Sequence, residues 1–217
     1  MEHLPLNCKP LDELLGGGIE RKAITEVFGE AGSGKTNICL QASRECANMG
    51  SKVAYIDNEG VSMERLKQIC SSYNHKKILS NILFFNPTTF EEQEKMIKNA
   101  LKINDVTLII VDTMNLFYRF NLEDDKECAM RCFSRQVSNL QIAAREKNIY
   151  AIFAEQVYTD KSGEIKPFTN RDTEHMIKAI IKLEKTGMGI RKATIIKHRS
   201  QPEGKTATFT ITATGLE

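Results

Sequence analysis

The stretch that most constrains this chain is Gly29-Glu30-Ala31-Gly32-Ser33-Gly34-Lys35-Thr36. It fits G-x-x-x-x-G-K-[ST], the phosphate-binding P-loop. Its glycines let the backbone curl so that successive N–H groups point inward at phosphate oxygens. Lys35 is placed to reach the β- and γ-phosphates, and Thr36 to set its hydroxyl on Mg²⁺. The helix that follows aims its positive end at the same anion. The flanks support this reading. Ala23 to Phe28 reads as a strand and Thr36 to Asn48 as a helix, the setting such a loop requires. ATP and Mg²⁺ are the ligands the motif implies.

The remaining pattern predicts what surrounds the loop. Val53–Asp57, Ile82–Phe85, Val106–Val111 and Ile149–Ala154 read as strands, with helices between them over Met63–Ser72, Thr89–Lys102 and Lys126–Lys147. The run Val106–Val111 is apolar almost without interruption, as expected of a strand buried on both faces of a parallel sheet. Thr89-Phe90-Glu91-Glu92 resembles a capping box. Leu11–Leu15 followed by Gly16-Gly17-Gly18 reads as a short helix running into a turn. Alternating strands and helices predict a doubly wound α/β fold with a mostly parallel sheet. Tyr158 to Arg171 is polar and reads as a mobile loop. From Ile180 onward the helices stop. Ile181 and Leu183 alternate with charged residues, Lys192–His198 answers across a glycine turn, and Thr206–Ala213 alternates threonine with apolar residues. Antiparallel strands on one edge of the parallel sheet are expected from this.

In open parallel sheets, ligands lie at the carboxyl ends of strands, and four strands here end in useful polar residues. The first runs into the P-loop. The strand Val106–Val111 ends in Asp112, an acid placed to hold Mg²⁺ beside Thr36. The strand Val53–Asp57 ends at Asp57 and Glu59, either of which can orient and deprotonate a water. The strand Ile149–Ala154 leads to Gln156, whose amide can sense a γ-phosphate. Basic charge gathers late: residues 185–205 hold Lys185, Arg191, Lys192, Lys197, Arg199 and Lys205 against Glu203 alone. Lys197 and Arg199, one residue apart, should point the same way. They suit a neighbouring subunit's phosphate, DNA, or a solvated edge that deters strand pairing.

Whole-chain totals exclude some classes. With 217 residues, one domain spanning 1–217 is the default. The apolar runs are strand-sized, so no membrane span is expected. The start Met-Glu-His-Leu-Pro lacks the character of a signal peptide. The six cysteines (Cys8, Cys39, Cys46, Cys70, Cys128, Cys132) have no metal-ligand spacing and read as mostly buried, reduced thiols of a cytoplasmic protein. The net charge of +2 is too small to announce a nucleic-acid binder by itself.

Taken together, these residues resemble the RecA/RadA recombinase family over nearly the whole chain. The resemblance rests on Leu11–Glu20, Ala23–Glu30, Tyr55-Ile56-Asp57-Asn58-Glu59-Gly60 and Glu155-Gln156-Val157. It implies a RecA-like ATPase core. It selects Glu59 over Asp57 as the water-activating base, assigns Gln156 as the sensor, and makes Arg65 similar to an arginine that stacks on adenine. Tyr118-Arg119 resembles the start of the first DNA-binding loop. Lys197 and Arg199 look like paired cations acting across a subunit interface.

The family's N-terminal helix-hairpin-helix domain and its polymerising linker are not expected here. The segments 119–135 and 157–173 balance their charges, unlike the basic groove of a strong single-strand binder. An accessory role in recombination and repair is therefore implied. It would combine DNA binding, weak Mg²⁺-dependent ATP hydrolysis, possible self-association, and contact with the recombinase RadA or a Holliday junction resolvase. KaiC-type ATPases that act on protein partners carry a similar Lys197-His198-Arg199 segment. A small-molecule kinase would need an arginine-bearing lid, and 157–173 offers only Arg171.

Overall fold

A computed structural model describes residues 2–160, 165–168 and 171–217, with backbone alone at 171 and 172. The chain opens with β1 (His3–Leu4), α1 (Lys9–Leu14), β2 (Ile19–Glu20), β3 (Ile24–Gly29), α2 (Lys35–Asn48) and β4 (Lys52–Asp57). It continues through α3 (Met63–Ile69), α4 (His75–Ser80), β5 (Ile82–Phe85), α5 (Phe90–Ala100), β6 (Val106–Asp112), α6 (Leu116–Asp124) and α7 (Lys126–Glu146). The last third holds β7 (Tyr150–Glu155), β8 (Val157–Thr159), β9 (Ile165–Pro167), α8 (Arg171–Glu174), β10 (Ala179–Lys185), β11 (Ile190–His198), β12 (Thr206–Thr212) and β13 (Gly215–Leu216).

The main sheet has nine strands in the order β13-β12-β11-β10-β3-β7-β6-β4-β5. From β10 to β5 the pairing is parallel, and β11, β12 and β13 extend one edge antiparallel, as the sequence pattern predicts. β3 and β7 are buried along their whole length, and β6 is buried apart from Thr107. Helices cover both faces, and that is why these strands read as apolar runs rather than as alternation.

The P-loop helix α2 is buried from Ile38 to Ala47. One face meets the sheet, and on the other a single amide, Gln41, reaches both terminal segments, beside the Asn7–Glu45 and Arg44–Thr214 contacts. Gln41 Nε2 donates to the carbonyls of Leu6 (2.8 Å) and Leu216 (3.2 Å), and its Oε1 accepts from the Leu216 N–H (2.9 Å). A Cβ at Gly215 would lie 2.3 Å from that Oε1, so only glycine fits there. On the opposite face, α5 and α7 pack Phe90, Phe133, Val137 and Leu140 under the sheet. Glu94 of α5 takes a bidentate ion pair from Arg135 of α7 (2.6 Å to each oxygen) and a third contact from Lys98 (2.6 Å). Thr89 caps α5 at the Glu92 N–H, but Glu92 reaches back to Thr88 rather than to Thr89.

Three local expectations are corrected. The helix expected over Met63–Ser72 ends at Ile69, and α4 follows it with its own cap, Asn74 Oδ1 accepting from the Lys77 N–H. The segment after Asn115 forms α6, so Arg119 sits on a helix rather than in a loop. In the stretch read as a mobile loop, β8 and β9 pair antiparallel, with Tyr158 opposite Lys166, and α8 begins at Arg171. Residues 161–164, 169 and 170 of that stretch lie outside the described residues. Four cysteines are buried, Cys132 is half-buried and Cys128 is exposed, and all six are free. Among the described residues no helix is long and apolar enough to cross a membrane.

Candidate nucleotide site

The P-loop follows β3 and hands directly into α2, as the motif requires. Gly32 (φ +73°) and Gly34 (φ +107°) adopt backbone conformations that other residues rarely take. Glu30, Ala31 and Gly32 are exposed at the loop's rim. Lys35 is 6% exposed and folds back across the loop, donating to the carbonyls of Gly29 (2.8 Å) and Glu30 (3.0 Å). Burial pushes its ammonium pKa down, while Glu59 and Asp112 oppose that shift. The Ser33 hydroxyl is buried with no hydrogen-bond partner among the described residues. A cradle of backbone donors with a buried lysine and an unpartnered hydroxyl fits a polyphosphate.

Asp112 ends β6, opposite Asp57 at the end of β4. Burial pushes its carboxyl up to about 6. Glu59 adds to that rise, and the Tyr55 and Thr36 hydroxyls and the Lys35 charge oppose it. Its Oδ2 accepts from the Tyr55 hydroxyl at 2.7 Å, and its Oδ1 is buried without a hydrogen-bond partner among the described residues. An orphaned carboxylate oxygen close to the Thr36 hydroxyl is a hard-oxygen donor set that fits Mg²⁺. Among the described residues no group of three or more His, Cys, Asp or Glu side chains gathers to cage a metal. That agrees with a Mg²⁺ held by few protein oxygens together with phosphate and water.

The two acids after β4 separate in space. Asp57 closes its own turn, accepting from the N–H groups of Gly60 (2.8 Å) and Val61 (2.7 Å), with the Asn86 amide at 3.3 Å. Glu59 instead reaches across the strand ends, and its Oε1 accepts from the Thr113 hydroxyl (2.7 Å) and the Gln156 amide (2.5 Å). Gln156 is pinned by Asn115, which bonds both its N–H and its carbonyl. The Gln156 Oε1 accepts from Arg119 at 2.6 Å. Because Arg119 only donates and the carboxylate only accepts, the amide orientation is fixed by chemistry. Lys35, Asp112, Glu59 and Gln156, named from four separate stretches of sequence, therefore meet at one end of the sheet. Tyr55, Thr113, Asn115 and Arg119 complete their contacts; no motif marks Thr113 or Asn115 in the sequence, and Tyr55 and Arg119 are named there for other reasons.

The cations divide into two groups. Arg65 bonds Asn37 on the first turn of α2 (2.8 Å) and the Ala213 carbonyl (3.0 Å), which holds its planar guanidinium near the loop. Lys197 and Arg199 lie at the far end of β11. His198 pairs with Ala179, which pairs with Thr25 at the start of β3, whereas the P-loop follows the end of that strand. Lys197 donates to the Glu174 carbonyl (2.7 Å), and Arg199 pairs with Glu20 (2.9 Å). Neither reaches the P-loop of its own chain.

With this geometry in view, the comparisons are specific. The Rad51 family model matches residues 3–217. The chain is 49% identical to the DNA repair and recombination protein RadB of Methanococcoides burtonii, over 99% of this chain and 97% of that one. It is 40% identical to the RadB protein of Thermoplasma acidophilum, over 95% of this chain and 90% of that protein. A crystal structure of the RadB recombinase superposes with a TM-score of 0.88 at 35% identity, covering 99% of this chain and 98% of the other. The RecA-like fold expected from the motifs agrees with that superposition.

Proposed function

The chain belongs to the Rad51 family, and from that premise we propose that it is a DNA-binding ATPase acting as an accessory factor in recombination and repair. The observation that carries this reading is the convergence of Lys35, Asp112, Glu59 and Gln156 at the carboxyl ends of β3, β6, β4 and β7. The loop 29–36 holds the phosphates, Arg65 stacks on the adenine, and Thr36 with Asp112 holds Mg²⁺. When bound, the metal neutralises phosphate charge. Glu59 orients and deprotonates the attacking water, and Gln156 reads the γ-phosphate.

Hydrolysis is slow in the isolated chain. Glu59 already carries two donors, and Lys197 and Arg199 can supply charge only to a neighbouring subunit's site. Self-association in the presence of DNA, or contact with the recombinase RadA or a Holliday junction resolvase, completes the active assembly.

The test separates binding from chemistry. Lys35→Ala should abolish MgATP binding in a calorimetric titration. Glu59→Gln should bind MgATP like the wild type and lose about a hundredfold or more in turnover. Unchanged turnover in Glu59→Gln would remove Glu59 from the mechanism.

A further inference from the structure

The β10–β11 hairpin lies directly on the P-loop. Leu183 pairs with Gly29, and a Cβ added at Gly29 would stand 2.4 Å from the Leu183 carbonyl oxygen. Two residues further on, the Lys185 side chain folds over Gly32. A Cβ there would meet the Lys185 ammonium at 2.9 Å and its Cε at 3.0 Å. The turn is tied down by Arg191, whose Nε donates to the Gly32 carbonyl (3.0 Å) and whose Nη1 donates to the Ile190 carbonyl (2.8 Å). Lys185 has no carboxylate partner among the described residues. Its charge is also close enough to Lys35 for the two ammonium groups to repel. Two cations converging on one backbone loop disfavour each other until an anion sits between them.

We propose that Lys185, positioned by Arg191, is a second phosphate-binding cation of the nucleotide site, contributed by the C-terminal hairpin of the same chain. This deepens the nucleotide-binding reading above and rests on it. Gly32 belongs to the backbone stretch that cradles the α- and β-phosphates, whereas Lys35 serves the β- and γ-phosphates. Lys185 therefore strengthens ADP and ATP binding alike and leaves the hydrolytic step alone. Gly32 is required because any side chain there would displace the lysine.

The test is a calorimetric titration of MgADP and MgATP into wild type, Lys185→Met, Lys185→Arg and Arg191→Met, with the melting temperature of each recorded. Lys185→Met should weaken both nucleotides about tenfold. Lys185→Arg should recover most of that loss, and the deficit should shrink as salt rises. KM for ATP should rise with kcat unchanged, and Arg191→Met should show a smaller loss of the same kind. Lys185 is exposed, so no loss of folding is expected. The inference is overturned if Lys185→Met binds both nucleotides within about twofold of wild type. It is also overturned if only ATP is affected, or if kcat falls while KM stays. If the wild type binds neither nucleotide, the reading of the whole site fails with it. If the wild type binds, Lys35→Ala does not and Lys185→Met is normal, this inference fails by itself.

Discussion

At the residue scale, the site is set by groups whose ordinary chemistry has been shifted by burial. Asp112 is the clearest case, its carboxyl raised to about 6 mainly by desolvation. Mg²⁺ needs the ionised form. The affinity gained by adding Mg²⁺ to ATP should therefore fade as pH falls through about 6, and Asp112→Asn should make that gain smaller and less pH-dependent in titrations between about pH 5 and 8, leaving the nucleotide's own titration. The linked effect on stability has the opposite sense. Because the folded-state pKa lies above the unfolded value of about 3.9, protonating Asp112 favours the fold. That contribution is complete below the unfolded value and is lost as pH rises through about 6.

Much of this site was legible in the sequence. The P-loop is contiguous, and Asp112, Glu59 and Gln156 each follow an apolar strand. The choice between Asp57 and Glu59 was not legible from strand position, because both follow the same strand. Only the fold shows that Asp57 turns its oxygens onto its own loop. Arg119 is named in the sequence only as resembling the start of a DNA-binding loop; its bond to Gln156 was not legible, because it joins residues 37 positions apart.

At the scale of elements, helix α5 is tied to α7 by the Glu94 carboxylate and by a buried amide pair, Gln93 Nε2 donating to Gln136 Oε1 at 2.8 Å. Arg135 holds Glu94 down to about 2, helped by Lys98 and Cys132. The folded-state pKa is depressed, so the stabilisation is present above the unfolded value and is lost as pH falls from about 4.3 toward 2. Arg135→Ala leaves a 7% exposed carboxylate short of its main partner. Arg135 itself is half in solvent, so the expected cost is about 1–2 kcal/mol, measured by denaturant unfolding at pH 7. Phe133→Ala, in the core beneath the same helix, should cost more, about 3–5 kcal/mol.

The parallel strands and α7 could be read from the sequence because burial on one or two faces writes a long apolar period. The β8–β9 ribbon could not, since each of its strands is three residues long, too short to write a period. Helix α6 was missed because Tyr118 alone of its residues is fully buried, which leaves almost no helical stripe to detect.

At the scale of the whole molecule, the hairpin separates the late basic run of the sequence in space. β11 is about 25 Å long. Lys185 and Arg191 lie at its P-loop end, and Lys197 and Arg199 at its far end. Charge counted along the chain merges what the hairpin separates. If the far pair serves a neighbour's phosphate, then Lys35→Ala and Lys197→Ala/Arg199→Ala, each nearly inactive in ATP turnover, should partly restore activity when mixed. Each would supply what the other lacks. No recovery on mixing would place the far pair elsewhere, DNA being the next partner to test.

A chain that binds both DNA and ATP, as proposed above, should couple the two, the nucleotide in this site changing the affinity for DNA. The direct measurement is the affinity for a fluorescent oligonucleotide across a salt series with ATP, ADP or no nucleotide, comparing wild type with Lys35→Ala. A steep salt slope and an affinity that differs between ATP and ADP are expected. Lys35→Ala should keep the slope and lose the difference. Absence of DNA binding at low salt in every nucleotide state would contradict this coupling, and so would a nucleotide effect that survives in Lys35→Ala.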